Sequence, residues 1–239
     1  MPAFSGRFRA MSFKGLPKDF FVFFKELAKN NERPWFEANK ERYKASVVAP
    51  LSDFIAAMAP RVAKISKHIV CDPRPNGGSM FRIYRDVRFA KDKSPYKTNA
   101  GVHFRHALGK DAHVPGYYLH FAPDEVFVGG GIWMPDAEPL TKVRRAIADE
   151  PKAWKKVVED KVFAKTFKGV EGESLSRPPK GFDAEHPYIA DIKRKSFFAM
   201  HQSSAKAAQS PTFLDEVETA FKAAKPLMKF VCDALDAPF

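Results

Sequence analysis

The sequence is poor in the features that mark secreted and membrane proteins. Only two of its 239 residues are cysteines, Cys71 and Cys232, and they form no paired motif. It contains no run of about 18 apolar residues, the length that a membrane-spanning helix needs. Its first ten residues lack an apolar segment long enough for a signal peptide. We therefore expect free thiols, no membrane span and a cytoplasmic location.

Catalytic and metal-binding signatures are absent as well. The chain has no P-loop and no Gly-x-Ser-x-Gly, and the triple glycine at 129–131 lacks the spacing of a dinucleotide fingerprint. Its seven histidines form neither His-x-His nor His-x-x-x-His, and a site at His103 and His120 would still need a third ligand. The sequence predicts no cofactor and no metal, and it does not decide whether the chain is an enzyme.

Positive charge is abundant, with a formal net charge of +12 and a pI near 9.6. Such a surplus favours anionic partners, although much of it is ordinary solvated surface. It is concentrated at residues 78–99, which carry six cations and two acids. Within this stretch Phe81 and Ile83 alternate with Arg82 and Tyr84, the period of a half-buried strand, and a polar loop containing Pro95 follows. The pattern predicts a strand that leads into a basic loop.

Helical periodicity occupies both ends of the chain. Apolar residues recur at helical spacing in 17–30, from Pro34 to before Pro50, in 51–68 and in 212–235. We expect Pro60 to kink or split the third of these helices. Residues 189–200 fit either a helix or a strand.

Strand patterns fill the middle of the chain. After the basic strand they cover 101–107, 116–122 and 125–132, and the short connections favour antiparallel hairpins. The resulting prediction is an α+β fold, in which a mainly antiparallel sheet at about residues 79–132 is packed on one face by N- and C-terminal helices. We expect residues 1–11 to be a loose extension and 12–239 to form a single domain.

Strand alternation divides the side chains between the two faces of that sheet. The face expected under the helices holds Phe81, Ile83, Val102, Phe104, Tyr117, Leu119, Phe121, Val126 and Val128. The other face would carry Arg82, Tyr84, His103, Arg105, Tyr118 and His120, without an acid. This mixture is unusual for a face that meets only water, and its grouping depends on an assumed register.

These observations define a candidate ligand-binding set. Its members are Arg82, Tyr84, Arg85, Arg88, Lys91, Lys93, Lys97, His103, Arg105, Tyr118 and His120. Arginine offers bidentate contacts and lysine a point charge, both suited to phosphate or carboxylate. The first hypothesis is therefore a small anionic, phosphorylated ligand, with catalysis left open.

Two alternatives compete with this hypothesis. Aromatic rings among cations also suit single-stranded nucleic acid, but no recognition motif is present. Alternatively, the basic stretch is a structural or partner-binding element in which Arg82, Arg85 and Arg88 each pair with a buried acid. The sequence gives no indication of the oligomeric state.

Several segments together resemble a known family. They are Asn30–Phe36, Phe81–Phe89 with Lys91–Lys97, Gly116–His120, Gly129–Trp133, Pro178–Asp183 and His186–Pro187. In combination they resemble domain of unknown function 2461, a family of bacterial and fungal proteins, over roughly residues 12 to 235. The resemblance implies a single-domain α+β protein in which the basic stretch is typical. It implies no catalytic residues, since the family has no established activity.

Overall fold

The computed structural model of the protein describes residues 13–109 and 113–239. The predicted loose extension, residues 1–11, lies outside the described residues. Elsewhere the elements follow the order of helices, sheet and helices that the sequence predicts, with one further strand close to the end.

The N-terminal helices begin with α1, Lys18–Lys29, which confirms the first predicted helix. Its phenylalanine stripe is buried because the apolar positions recur every three to four residues. Next come α2, Arg33–Ala38, and α3, Lys40–Tyr43; a π-helical turn, Lys44–Val48, then leads directly into α4, Ala49–Ala63.

The predicted break before Pro50 does not occur. Pro50 lies in the first turn of α4, directly after the π-helical turn, a position that tolerates a residue without an N–H. The α4 helix also continues across Pro60. The resulting helical stretch, Lys40–Ala63, is among the described residues the one long and apolar enough to cross a membrane. Its residues Leu51, Phe54, Ile55, Met58 and Val62 are buried in the core, as in the core helix of a globular protein.

In the part of the chain that the structure describes, five antiparallel strands form one sheet in the order of the chain. They are β1, Ile69–Val70; β2, Ala100–His106; β3, Gly116–Phe121; β4, Val126–Ile132; and β5, Phe197–Ser203. The C-terminal helices are α5, Ala137–Asp149; α6, Pro151–Val158; α7, Lys161–Thr166; α8, Ile189–Ile192; α9, Ala205–Ala208; and α10, Phe213–Ala234. This arrangement confirms the α+β class.

The predicted strand at the start of the basic stretch is wrong. Residues 79–85 bond to the sheet only near Met80 and Phe81, and farther on Tyr84 bridges to Tyr96. Lys97 N–H likewise donates to the Ile83 carbonyl at 2.7 Å. Residues 83–85 thus bond to residues 95–97 of the same stretch instead of extending the sheet. The sheet instead gains β5 beyond residue 132, from the segment that fitted either a helix or a strand.

The helix-covered face of the sheet is as predicted for its true strands. Tyr117 and Phe121 are fully buried there, and the Phe221 ring of α10 stacks on Tyr117 at 4.2 Å. The prediction that Phe81 lies on the helix-covered face is wrong. Its ring lies on the opposite face, 6.3 Å from the ring of His103 and 6.2 Å from that of Tyr118. Alternation does not apply to Phe81, since it is not in a strand.

Candidate functional site

The face of the sheet opposite the helices carries three rows of residues that are fixed by strand register. The rows are Gly101–His120–Phe127–Gln202, His103–Tyr118–Gly129–Met200 and Arg105–Gly116–Gly131–Phe198. Pairing without a bulge keeps each row on one face, since side chains alternate strictly along a strand. The predicted grouping of His103, Arg105, Tyr118 and His120 on one face is therefore correct.

A groove of about 770 Å³ lies over this face. Along β2 its wall is the 81–99 stretch, which contributes Phe81, Arg85, Asp86, Lys97 and Asn99. The rest of the rim is formed by Val114, Glu125, Trp133 and Glu171. The groove is therefore bounded by segments that are far apart in the chain.

Glycines make room for this groove. A Cβ on Gly116 would overlap the Nε2 atom of His103, and one on Gly101 would lie 3.0 Å from both Phe81 and the Tyr118 hydroxyl. Side chains at these positions would therefore displace the rings that line the groove.

The structure brings five of the eleven predicted ligand-binding residues to the groove. They are Arg85, Lys97, His103, Tyr118 and His120. The others, which do not line it, are Arg82, Tyr84, Arg88, Lys91, Lys93 and Arg105. Tyr84 instead packs against Phe36 and Tyr96, and the Arg105 guanidinium approaches the Gly78 carbonyl at 3.4 Å.

The acids paired with the basic stretch are exposed. Arg88 pairs with Asp86 at 2.7 Å, and Arg85 pairs with Asp92, whose side chain is 62% exposed. Hydrogen bonds from Arg88 lower the pKa of Asp86 to about 2, and those from Ser94, followed by Arg85, lower the pKa of Asp92 to about 2. Exposed pairs of this kind add little stability. The buried ion-pair network of the structural hypothesis is therefore not present among the described residues.

Three acids at the groove were missed by the sequence analysis. Asp86, Glu125 and Glu171 all line it, although the predicted polar face contained no acid. Asp86 and Glu171 lie in loops, to which strand alternation assigns no face, and Glu125, the first residue of the predicted 125–132 strand, lies just before β4. Among the described residues that line the groove, the lysines and arginines are Arg85 and Lys97, both on the β2 side.

His120 is held in a defined orientation. Its ring stacks on Phe127 at 4.6 Å with an interplanar angle of 4°. Its Nδ1 atom lies 3.2 Å from the Tyr118 hydroxyl and 3.5 Å from the Asn99 amide nitrogen, which can only donate. With Nδ1 accepting, a neutral His120 carries its proton on Nε2. Burial lowers the pKa of His120, and the nearby Glu125 offsets part of that effect.

Burial also shifts the other titratable groups of the groove. It raises the pKa of Tyr118 to about 12, with a smaller contribution from Glu125. Burial, followed by repulsion from Arg82, lowers the pKa of Lys97. The Lys97 amine donates to the Arg82 carbonyl at 2.9 Å and lies 5.4 Å from the centre of the Phe81 ring. The site therefore holds Tyr118 in its phenol form and favours the neutral form of His120.

The lowered pKa of His120 predicts a pH dependence of stability. At a pH between the pKa of His120 in the folded protein and its higher pKa in the unfolded chain, only the unfolded chain binds the proton. The contribution of the neutral ring to the free energy of unfolding is therefore complete above about pH 6.5 and is lost as the pH falls below it. Urea unfolding at a series of pH values from 7.5 to 5 is the measurement. Wild type should lose more free energy of unfolding on acidification than His120→Gln; parallel curves would contradict this.

Comparison with known proteins identifies a family. A family model described as a conserved hypothetical protein, DUF2461, matches residues 19–230. No curated protein matches the chain. Since the family match spans most of the sequence and agrees with the motifs around the groove, the chain belongs to the DUF2461 family.

Proposed function

We propose that the groove binds a small organic anion. The observation that carries this proposal is the meeting of two cations, Arg85 and Lys97, with a row of aromatic rings in one concavity of about 770 Å³. Sites for small molecules are typically concave, largely apolar and supplied with a few oriented polar groups. The volume is within the range of such sites.

The apolar body of the ligand would lie on the sheet face. Phe127 and Phe198 line the groove from β4 and β5, Phe81 lines it from the basic stretch, and Trp133, 55% exposed, stands at the rim. Rings presented this way favour a flat ligand, because an aromatic face gains most from an offset or edge-to-face partner. The His120 and Asn99 side chains add directional contacts.

The anionic group would lie at the β2 side. Both described contacts of Arg85, with Asp92 and the Ser94 carbonyl, use its Nη1 atom, so Nε and Nη2 remain available to a ligand. Glu125 and Glu171 on the rest of the rim would repel a second anionic group. We infer a ligand with a single carboxylate or phosphate at one end, bound in the cytoplasm.

Single-stranded nucleic acid is the weaker alternative. A polyanion needs an extended path of cations, whereas acids line part of this groove and Arg88 is paired with Asp86. Competition between a single-stranded oligonucleotide and a small aromatic anion for the groove separates the two hypotheses.

Binding of 1-anilinonaphthalene-8-sulfonate, a flat aromatic anion, tests the proposal. Titration followed by dye fluorescence should give saturable binding, and Lys97→Met should weaken it about tenfold, the loss expected for one charge-assisted contact. Lys91→Met is the matched control, because it removes the same charge from the same stretch outside the groove. It should leave the affinity within about twofold of wild type.

Two outcomes would contradict the proposal. One is equal dye affinity in wild type and Lys97→Met when circular dichroism shows both to be folded. The other is displacement of the dye by a single-stranded oligonucleotide with a steep salt dependence, which would favour the nucleic-acid alternative.

A further inference from the structure

The surroundings of Lys97 differ from those of a solvated surface lysine. It lines the groove, and no carboxylate among the described residues pairs with it. Its neighbours include a backbone carbonyl, an aromatic ring and the positive charge of Arg82. Lys40, by contrast, pairs with Glu37 at 3.0 Å on the surface.

These surroundings favour a nucleophilic amine. Partial burial and a neighbouring cation both disfavour the ammonium form, which is how lysines that form imines are activated. One hydrogen bond to the Arg82 carbonyl orients the nitrogen and leaves the lone pair of a neutral amine unused.

We propose that Lys97 forms an imine with a small carbonyl compound that also carries an acidic group, such as a 2-oxo acid. The inference rests on the proposed function, because the groove must first bind the organic anion. Arg85 then holds the acidic group, and the carbonyl carbon meets the Lys97 amine. This gives the ligand a chemical class and the site a covalent step.

The step balances without an oxidant or a reductant. The Nζ lone pair attacks the carbonyl carbon, and the C=O electron pair moves to oxygen, which takes up a proton. That proton comes from the attacking nitrogen. The nitrogen then forms the C=N bond as its second proton passes to the hydroxyl group, which leaves as water, so both amine protons depart in the water. Hydrolysis reverses each step.

The sheet face offers a hydrogen-bond donor for this exchange. His120 in its neutral form carries a proton on Nε2, since Nδ1 accepts from Tyr118 and Asn99. A neutral imidazole that donates can polarise a carbonyl without a net charge. We assign His120 the role of donating a hydrogen bond from Nε2 to the carbonyl oxygen and keeping its own proton, while the proton that makes the hydroxyl comes from the Lys97 nitrogen.

Reductive trapping with glyoxylate tests the proposal. Glyoxylate is an aldehyde with a carboxylate, and sodium cyanoborohydride converts its imine to a stable secondary amine. Peptide mapping by mass spectrometry should find Lys97 labelled at least about tenfold faster than Lys91, because the groove brings the aldehyde to the amine. Lys97→Arg keeps the charge but forms no imine, and should lose the fast phase, whereas Lys91→Arg should keep it.

A second probe identifies the role of Arg85. Arg85→Gln should slow labelling of Lys97 by glyoxylate while leaving labelling by propanal, which has no acid, unchanged. Labelling spread evenly over the lysines, or a fast phase that persists in Lys97→Arg, would overturn the imine. If labelling is spread equally over the lysines while the wild type still binds the dye, the imine alone is refuted. If the wild type does not bind the dye, the proposed function is refuted.

Discussion

Replacing Phe121 by alanine is expected to lower the free energy of unfolding by about 3–5 kcal/mol, the usual result for a fully buried phenylalanine. The Phe121 side chain is 0% exposed. Its ring centre lies 5.9 Å from Phe20, 6.0 Å from Phe54 and 6.0 Å from Phe213. These partners belong to α1, α4 and the start of α10, so one ring joins three helices to β3.

Urea unfolding followed by circular dichroism measures this loss. Phe89→Ala is the matched control, because the same atoms are removed from a side chain that is 94% exposed. Its free energy of unfolding should stay within about 0.5 kcal/mol of wild type. A loss below about 1 kcal/mol for Phe121→Ala would mean that the helices close over the vacated space.

A second large effect is expected for Gly131→Ala. Gly131 has φ +147°, and an added Cβ would overlap the Phe197 carbonyl oxygen of the neighbouring strand and lie 2.8 Å from the Phe198 Cβ atom. Strain and overlap act together, and neither backbone can move without breaking the β4–β5 pairing. We expect a loss of at least ~3 kcal/mol in free energy of unfolding.

Gly169→Ala separates these two causes. Gly169 has φ +128°, but an added Cβ would meet nothing within 4 Å, so only the backbone strain remains. That variant should lose about 1 kcal/mol. Thermal unfolding followed by circular dichroism compares the two, and equal losses would show that the close approach of β4 to β5 contributes nothing.

The helices and the central strands were predictable because their apolar residues repeat at the spacing of the element. The phenylalanine stripe of α1 and the alternation along β3 each bury one side against the same core. The 79–85 segment alternates just as well but is not a strand, since it bonds to β2 only near Met80 and Phe81, and its later residues bond to residues 95–97 of the same stretch. Alternation indicates half-burial, and it does not identify the partner.

The sequence predicted the residues of the candidate site only where those residues lie in strands. Register places His103, Tyr118 and His120 on one face, which the pattern of the sequence anticipates. Glu171 reaches the rim from a loop whose path depends on the whole fold. Glycines in a strand interior indicate a bulge or a close backbone approach, and at Gly131 the approach is to the backbone of β5.

The late position of β5 has a consequence for the synthesis of the protein. Residues 122–125 connect β3 to β4, whereas residues 133–196 separate β4 from β5. The β4–β5 pairing can therefore form only after this long segment has been synthesised. Closing the longer loop costs roughly 2.5 kcal/mol more in chain entropy. On the ribosome, a nascent chain therefore lacks β5 until its last fifth emerges, and the groove is complete only after the intervening helices have been made.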